Sequence, residues 1–263
     1  MTTVKYQNLQ NTLGIQNQEI TSKLLQIKEF IYNEFIHGGH LIACATSALA
    51  LSAMILFGGN FRWEFLLIVY VGTLCIYNYD HYREIDKDAR DNYKRTDHLN
   101  RYKKFHSLIL IIYGIGFFAL LFYFGTLSSI VFGGLLLLSS LLYTRKVKQY
   151  TEKLVGFKNF YTAFFFALLT IFTAVYCSYQ LNWLIFIFFL IVFLNVLIDT
   201  SFCDIKDMET DRKRNLLTLP IYFGKQKFLS LLHVFNFILF GLLLIAIVIQ
   251  ILPLFSHIPH IVL

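Results

Sequence analysis

Residues 182–211 read NWLIFIFFLIVFLNVLIDTSFCDIKDMETD, a strongly apolar run that passes directly into a cluster of acidic side chains. An apolar stretch of roughly 17–25 residues is long enough to cross the ~30 Å hydrocarbon layer of a bilayer as a helix. The stretch therefore predicts a transmembrane helix over about residues 182–203. The acidic cluster that follows is expected at the boundary between lipid and water.

Six other apolar segments of similar length occur in the chain. The seven predicted spans are about 40–58, 61–79, 105–124, 126–143, 159–179, 182–203 and 228–252. The chain is 57% hydrophobic and 15% charged, whereas soluble domains are about 25% charged. Backbone amides in lipid must be paired within a helix or a closed barrel, and these runs lack the alternation of barrel strands. The sequence predicts an all-α, polytopic membrane bundle of about seven helices.

The first 36 residues differ from the rest because they are polar and rich in Gln and Asn. They lack the short apolar run and small-residue cleavage site of a signal peptide. From Ile20 to Ile36 apolar residues recur every three or four positions, which predicts an amphipathic helix at the membrane surface. We therefore divide the chain into a polar or amphipathic arm, residues 1–36, and a transmembrane domain, residues 37–263.

Basic residues lie almost entirely on one side of the predicted spans. Of 23 Lys and Arg residues, all but Arg62 lie in the arm or in the segments after the second, fourth and sixth spans. Lys and Arg mark cytoplasmic loops, so this face and the N-terminus are expected in the cytoplasm, as in a bacterial inner membrane protein. The net charge of +7 is then an orientation signal. Nucleic-acid binding, which requires a basic face on a soluble domain, is not indicated.

Two acidic clusters follow the second and sixth predicted spans. Four crossings separate them, so both are expected on the cytoplasmic face. In the second cluster, Asp204, Asp207 and Asp211 stand at i, i+3 and i+7 and share one helix face. Carboxylates in this pattern favour Mg²⁺, which takes oxygen ligands and usually binds one or two carboxylates together with phosphates. The alternative is a solvated helix whose acids pair with the basic residues at 212–214.

The first cluster has two candidate faces, and the sequence does not choose between them. One stripe consists of Asp80, Glu84, Asp88 and Asp91, and the other of Asn78, Tyr82 and Asp86. Either could hold a metal ion. In the alternative interpretation these acids only balance the neighbouring basic residues Arg83, Lys87 and Arg90 on a solvated helix.

The second cluster resembles a motif of the UbiA-type intramembrane prenyltransferases. Residues 204–220 read DIKDMETDRKRNLLTLP, and the family pattern is DxxDxxxD followed by a Gly and a TLP-like turn. Asn215 replaces that Gly, and Asn is the non-Gly residue that best tolerates a positive φ. The resemblance covers about residues 37–250. The family usually has nine helices, whereas this chain shows seven.

The first cluster resembles the other family motif, N-D-x-x-D-x-x-x-D, less closely. Asn78 and Asp86 fall on its first and last positions, and Tyr79 and Tyr82 replace two aspartates. Asp80, Glu84 and Asp88 could serve instead through a shift of two residues. The segments Tyr143–Lys146 and Lys158–Asn159 are a looser match.

The resemblance implies transfer of a polyprenyl group from a polyprenyl diphosphate to a hydrophobic or aromatic acceptor, with Mg²⁺ as cofactor. It implies catalytic roles for Asp207, Asp211 and Asp86. The expected metal ligands are Asp204, Asp207, Asp211, Asp80, Glu84 and Asp86. The expected substrate-binding residues are Asn78, Arg95, Arg145, Lys146, Lys158 and Tyr143.

Two family helices have no counterpart among the seven predicted spans. They ordinarily help to wall the lipid-tail cavity, so that cavity is expected to be more open to membrane lipid or to be closed by a partner or a second copy. The alternative function is a catalytically degenerate UbiA-like protein with a scaffold or binding role. Tyr79, Tyr82 and the short C-terminal region are the features that favour it.

Overall fold

The structure is a computed structural model that describes residues 21–58, 60–83, 85, 93–144, 150, 153–213 and 215–248. Every regular element within these ranges is helical, which confirms the predicted all-α fold. The helices are α1 (Thr21–His37), α2 (His40–Leu56), α3 (Trp63–Arg83), α4 (Tyr93–Arg101), α5 (His106–Phe124), α6 (Leu127–Leu142), α7 (Phe157–Tyr176), α8 (Trp183–Lys213), α9 (Leu219–Phe223) and α10 (Lys225–Val248).

Each of the seven predicted spans falls on one helix: α2, α3, α5, α6, α7, α8 and α10. In the described part of the chain, four helices are long and apolar enough to cross a membrane, namely α5, α7, α8 and α10. The bent pair α1 and α2 qualifies as a fifth span if it is counted as one unit. Helix α6 is apolar but shorter, and α3 carries charged side chains at both ends. The polytopic membrane fold is confirmed, and the number of seven crossings stays a prediction.

Three groups of buried apolar side chains hold the bundle together. The largest joins α2, α3, α5, α6 and α7 around Phe65, Phe117 and Phe172. A second joins α2, α7 and α8, where the fully buried residues Ala53 and Ala167 allow close helix approach. The third packs Ile198, Leu219, Phe228 and Leu232, from α8, α9 and α10. Helices α5 and α10 bury few of their apolar side chains inside the bundle, as expected when lipid is the solvent.

A sharp turn separates α1 from α2, and the two helix axes differ by 54°. Gly39 has φ 93°, and a Cβ at this position would overlap the ring of Tyr77 on α3. Asn78 of α3 donates hydrogen bonds from Nδ2 to the carbonyl oxygens of Gly38, at 3.1 Å, and Leu74, at 2.9 Å. The turn is therefore fixed against α3, and α1 leaves the bundle with Leu24 and Ile31 exposed. A helix, Thr21–His37, covers the second part of the predicted arm, and its place at the membrane surface stays a prediction. Residues 1–20 of the arm lie outside the described part.

Helix α8 continues ten residues beyond the predicted span and ends in a tight turn. Asn215 has φ 56°, so it adopts the left-handed conformation expected where the family pattern has Gly. The Leu216 amide donates to the Asp211 carbonyl oxygen at 3.0 Å, and the Gly156 amide donates to the Leu217 carbonyl oxygen at 2.8 Å. These bonds place the chain after α8 directly against the start of α7.

Candidate active site

A cavity of about 330 Å³ lies among α2, α3, α6 and α7, with Phe117 of α5 in one wall. This volume falls at the lower end of the range typical of small-molecule pockets. Most of the lining side chains are apolar, including the rings of Phe165 and Phe166 on α7. The cavity can therefore hold a hydrocarbon group of modest size.

The cavity has one polar end and one apolar end. At the polar end, the Thr144 hydroxyl donates to Asp80 Oδ1 at 2.9 Å. The rings of Tyr143 and Tyr161 stack nearby with their centroids 4.0 Å apart. All four residues line the cavity. They bring together the ends of α3 and α6 and the start of α7.

The apolar end consists of aromatic and small residues from α3, α5, α6 and α7. Gly72 packs against the ring of Phe117, and Gly133 packs against the ring of Phe172. These residues and Val69 line the cavity, and both rings are buried. This end has no charged lining residue in the described part of the chain.

The second acidic cluster is held by the first turn of α7. Asp204 on α8 is only 2% exposed. Its Oδ1 accepts a hydrogen bond from Lys158 Nζ at 3.1 Å, and its Oδ2 accepts one from Asn159 Nδ2 at 2.8 Å. The buried carboxylate is thereby compensated by one positive charge and one amide. Asn159 is itself fully buried.

The two acidic clusters border the same end of the bundle through α7. Lys158 and Tyr161 stand at i and i+3, so they are neighbours on the α7 surface. Lys158 forms an ion pair with Asp204, and Tyr161 stacks on Tyr143. Thr144, which follows Tyr143 in the chain, donates a hydrogen bond to Asp80. This chain of contacts runs from α8 to α3 across the start of α7. Asp80, Tyr143, Lys158 and Asp204 are therefore brought together as one region.

The other two carboxylates of the α8 stripe differ in exposure. Asp211 is 5% exposed, whereas Asp207 lies at the surface. Within the described residues, no three His, Cys, Asp or Glu side chains are arranged so that they could hold a metal ion. Mg²⁺ accepts carboxylate oxygens and commonly completes its six ligands with waters and phosphate oxygens. Among the described residues the carboxylates form no closed cage, so an Mg²⁺ ion here would need phosphate or water oxygens to complete its ligands.

Two of the remaining predicted residues lie beside α1. Asn78 is buried, and its amide is used on the backbone of the α1–α2 turn, so it has a structural contact here. Arg95 lies on α4, the helix whose His98 shares a hydrogen bond with Glu34 of α1. Several other predicted residues lie outside the described part of the chain: Glu84, Asp86, Asp88, Asp91, Arg145, Lys146 and Arg214.

Helix α4 is joined to α1 and α2 by a polar network. His98 Nε2 and Glu34 Oε2 share a hydrogen bond of 2.9 Å, and His40 Nε2 lies 3.5 Å from the other Glu34 oxygen. His40 Nδ1 shares a further hydrogen bond of 2.6 Å with the Tyr70 hydroxyl on α3. The network positions α4, which follows the first acidic cluster, against the α1–α2 turn.

Sequence reasoning did not assign site roles to Thr144, Asn159 and Tyr161. Thr144 and Tyr161 carry no recognisable spacing signal, because their significance comes from contacts between helices. Asn159 did have a signal, since an amide in the first turn of an apolar helix needs a polar partner when it is buried. That partner is Asp204, which lies 45 residues further along the chain.

The fold and the cavity define the class of protein: a helical membrane protein with an apolar pocket that leads to an acidic end. The UbiA prenyltransferase family model matches residues 41–263. The chain therefore belongs to the UbiA prenyltransferase family. A search of curated protein sequences gave no match.

Two solved structures are similar to the fold. A structure of digeranylgeranylglyceryl phosphate synthase matches with a TM-score of 0.59 and 18% identity, over 85% of this chain and 79% of that chain. The apo structure of a UbiA homolog from Aeropyrum pernix K1 matches with a TM-score of 0.62 and 13% identity, over 78% of each chain. At these identities the likeness concerns the fold.

Proposed function

We propose that this protein transfers a polyprenyl group from a polyprenyl diphosphate to a hydrophobic or aromatic acceptor, with Mg²⁺ as cofactor, at the cytoplasmic face of a bacterial inner membrane. The observation that carries this proposal is the shape of the cavity. An apolar pocket of about 330 Å³ ends at Asp80, and α7 connects this end to the Asp204 cluster. A ligand with a hydrocarbon tail and an anionic head matches both ends.

The tail is assigned to the apolar part of the cavity. Side chains such as Val69, Leu137 and Phe172 offer a prenyl chain only apolar contacts. These side chains can replace the membrane lipid around the tail, while the head is held where the chemistry occurs.

The diphosphate head is assigned to the polar end, where cations can reach it. Lys158 is anchored on Asp204, yet its side chain is 41% exposed, so it can also donate to a phosphate oxygen. Arg95, Arg145 and Lys146 are proposed as further donors because charge-assisted bonds to phosphate are strong. Tyr143 lines the cavity and is proposed to complete the substrate contacts, whereas the amide of Asn78 is used on the α1–α2 turn.

Mg²⁺ is assigned to Asp204, Asp207 and Asp211 in the second cluster and to Asp80, Glu84 and Asp86 in the first. When bound, the ion would act as a Lewis acid that neutralises charge on the departing diphosphate. Asp207, Asp211 and Asp86 are proposed as the catalytic carboxylates. Asp204 has a second role, because its bonds to Lys158 and Asn159 hold α8 in register with α7.

In the reaction, the bond between prenyl C1 and the diphosphate oxygen breaks, and the oxygen keeps the electron pair. A new bond forms between C1 and the acceptor, which loses a proton to solvent at the polar end. Positive charge on the allylic group can be stabilised by the faces of Tyr143 and Tyr161, which stack 4.0 Å apart beside the cavity. An aromatic face contributes about 0.5–2 kcal/mol to binding a cation.

The proposal is tested with the full chain in lipid nanodiscs, C15 prenyl diphosphate and Mg²⁺. We expect Mg²⁺-dependent binding, measured with radiolabelled ligand, and a loss of at least about tenfold in affinity in D207N. The matched control is E209Q, because Glu209 is also exposed on α8 but lies about 200° around the helix from Asp207. Equal loss in both variants, or binding by wild type that ignores Mg²⁺, would contradict the proposal. A degenerate, non-catalytic protein would show no Mg²⁺-dependent binding.

A further inference from the structure

The apolar end of the cavity is closed by a stack of aromatic rings. Phe172 on α7 is 3% exposed, and its ring meets Phe65 of α3 edge-on with the centroids 5.1 Å apart. Phe65 is fully buried and stacks on Tyr176 at 4.4 Å. The ring of Phe172 is therefore backed by two further rings, and the cavity cannot deepen without moving all of them.

An ion pair lies beyond this stack. Arg62 lies over the ring of Tyr176, with 5.6 Å between the guanidinium carbon and the ring centroid. Its Nε donates to Glu64 Oε1 at 2.5 Å. Because the pair and the rings are in direct contact, the closed end resists displacement by a long apolar ligand.

Two glycines fix how far the rings sit from the centre of the cavity. A Cβ on Gly133 would come within 2.8 Å of Phe172 Cζ, and a Cβ on Gly72 would come within 2.9 Å of two ring atoms of Phe117. The rings thus lie directly on the backbones of α6 and α3. With any larger residue at either glycine, a ring or a helix would have to move.

The depth of the cavity follows from two helices independently. On α3 the lining runs from Asp80 to Val69, and on α7 it runs from Tyr161 to Phe172. Each interval is eleven residues, which at about 1.5 Å per residue gives roughly 16 Å. An extended isoprene unit measures about 5 Å, because its four carbon–carbon bonds of about 1.5 Å each follow a zigzag along the chain. The space corresponds to about three isoprene units.

We propose that Phe172, with Phe117 beside it, sets the donor chain length and selects a prenyl diphosphate of about three isoprene units, C15. This inference rests on the proposed function and adds the size of the donor. Longer chains reach the ring of Phe172 before the diphosphate reaches Asp80, so they bind with part of the tail outside the cavity. Shorter chains leave part of the cavity unfilled.

The test compares all-trans C10, C15, C20 and C40 prenyl diphosphates as competitors of radiolabelled C15 diphosphate, with the full chain in nanodiscs and Mg²⁺ present. For wild type we expect C15 to bind best, and C20 and C40 to bind at least about tenfold more weakly, because a tail that meets Phe172 first keeps the diphosphate from reaching Asp80. In F172A the ring at the apolar end is removed and the cavity becomes deeper. The affinity for C20 relative to that for C15 should therefore rise by about tenfold. F172L should give an intermediate ratio.

The matched control is F122A. Phe122 on α5 is 68% exposed, so its truncation removes a ring of the same size from the outer surface of the bundle and should leave the ratio unchanged. Unfolding cannot raise the affinity for C20 relative to that for C15. If F172A does not fold, F172L tests the same effect with a smaller change. This inference is overturned if wild type binds all four chain lengths equally well, or if the C20-to-C15 affinity ratio is unchanged in F172A and F172L. In either case, binding of C15 diphosphate would still support the proposed function. Absence of binding at every length overturns both.

Discussion

The two acidic clusters are stabilised in different ways. Asp204, in the cluster that matches its motif well, is 2% exposed and is bound by a cation and a buried amide from α7. Asp80, in the cluster that matches poorly, is half-buried in the cavity wall and accepts a hydrogen bond from the Thr144 hydroxyl. The closer motif match therefore marks the more deeply buried carboxylate, and the weaker match marks the one that lines the cavity.

This difference separates two contributions of a carboxylate. A buried carboxylate with a charged partner holds helices together, and removal of its partner leaves a charge that is costly to bury. A carboxylate in a cavity wall can be reached by a cation that enters the cavity with a ligand. We therefore expect changes at Asp80 to affect ligand binding first and changes around Asp204 to affect stability first.

The largest expected effect is on activity in D80N. Asn has the same shape and can still accept from Thr144, so the variant should fold, but it removes one negative charge from the cavity end. We expect a loss of about 100-fold in prenyl transfer, equivalent to about 2.7 kcal/mol, with an unchanged unfolding temperature.

The control for D80N is D97N, because Asp97 is exposed on α4 and pairs with Arg101, four residues away, at 2.9 Å. Such surface pairs contribute little to stability. If D97N lowers activity as much as D80N, the loss does not depend on the position of Asp80 at the cavity, and the distinction between the two clusters is wrong.

Much of the fold could be predicted from the sequence because lipid imposes a length on every spanning helix. All seven predicted apolar runs fall on helices. The predicted span ends near residue 203, and the helical stripe predicted beyond it agrees with α8, which reaches Lys213. Hydropathy marks where the lipid ends, whereas the end of the helix is set by Asn215, whose left-handed backbone turns the chain.

The candidate site could be predicted only where its residues follow one helix. The stripe of Asp204, Asp207 and Asp211 was predicted because helical geometry places them together. The partners of Asp204 lie 45 and 46 residues earlier, and that of Asp80 lies 64 residues later. No spacing rule connects such pairs, because the packing of α7 against α8 and of α6 against α3 creates them.

The second expected effect is on stability in K158M. Methionine keeps the apolar stem but leaves the buried Asp204 carboxylate with only the Asn159 amide of its two α7 donors. Loss of one partner of a buried pair costs about 3–5 kcal/mol, and we expect about 2 kcal/mol here because the Lys158 side chain is 41% exposed and water can replace part of it. The measurement is the free energy of unfolding in detergent.

Lys153 provides the matched control for K158M, since it precedes α7 and is exposed. K153M should change the free energy of unfolding by less than about 0.5 kcal/mol. The double variant K158M/D204N should recover part of the lost stability, because it removes the charge that K158M leaves buried. No recovery would mean that Lys158 stabilises the bundle through packing and not through Asp204.

The smallest expected effect is in T144V, which replaces the hydroxyl that donates to Asp80 by a methyl group. A single neutral hydrogen bond contributes about 0.5–1.5 kcal/mol, somewhat more with a charged acceptor. We therefore expect prenyl transfer to fall about tenfold, less than in D80N, with an unchanged affinity for C15 diphosphate if Thr144 only orients the carboxylate. T144S should restore activity because it keeps the hydroxyl. If T144V instead weakens diphosphate binding as strongly as D80N does, Thr144 contacts the ligand directly. Asp80 and Thr144 would then both be binding residues, and Thr144 would not act only by orienting Asp80.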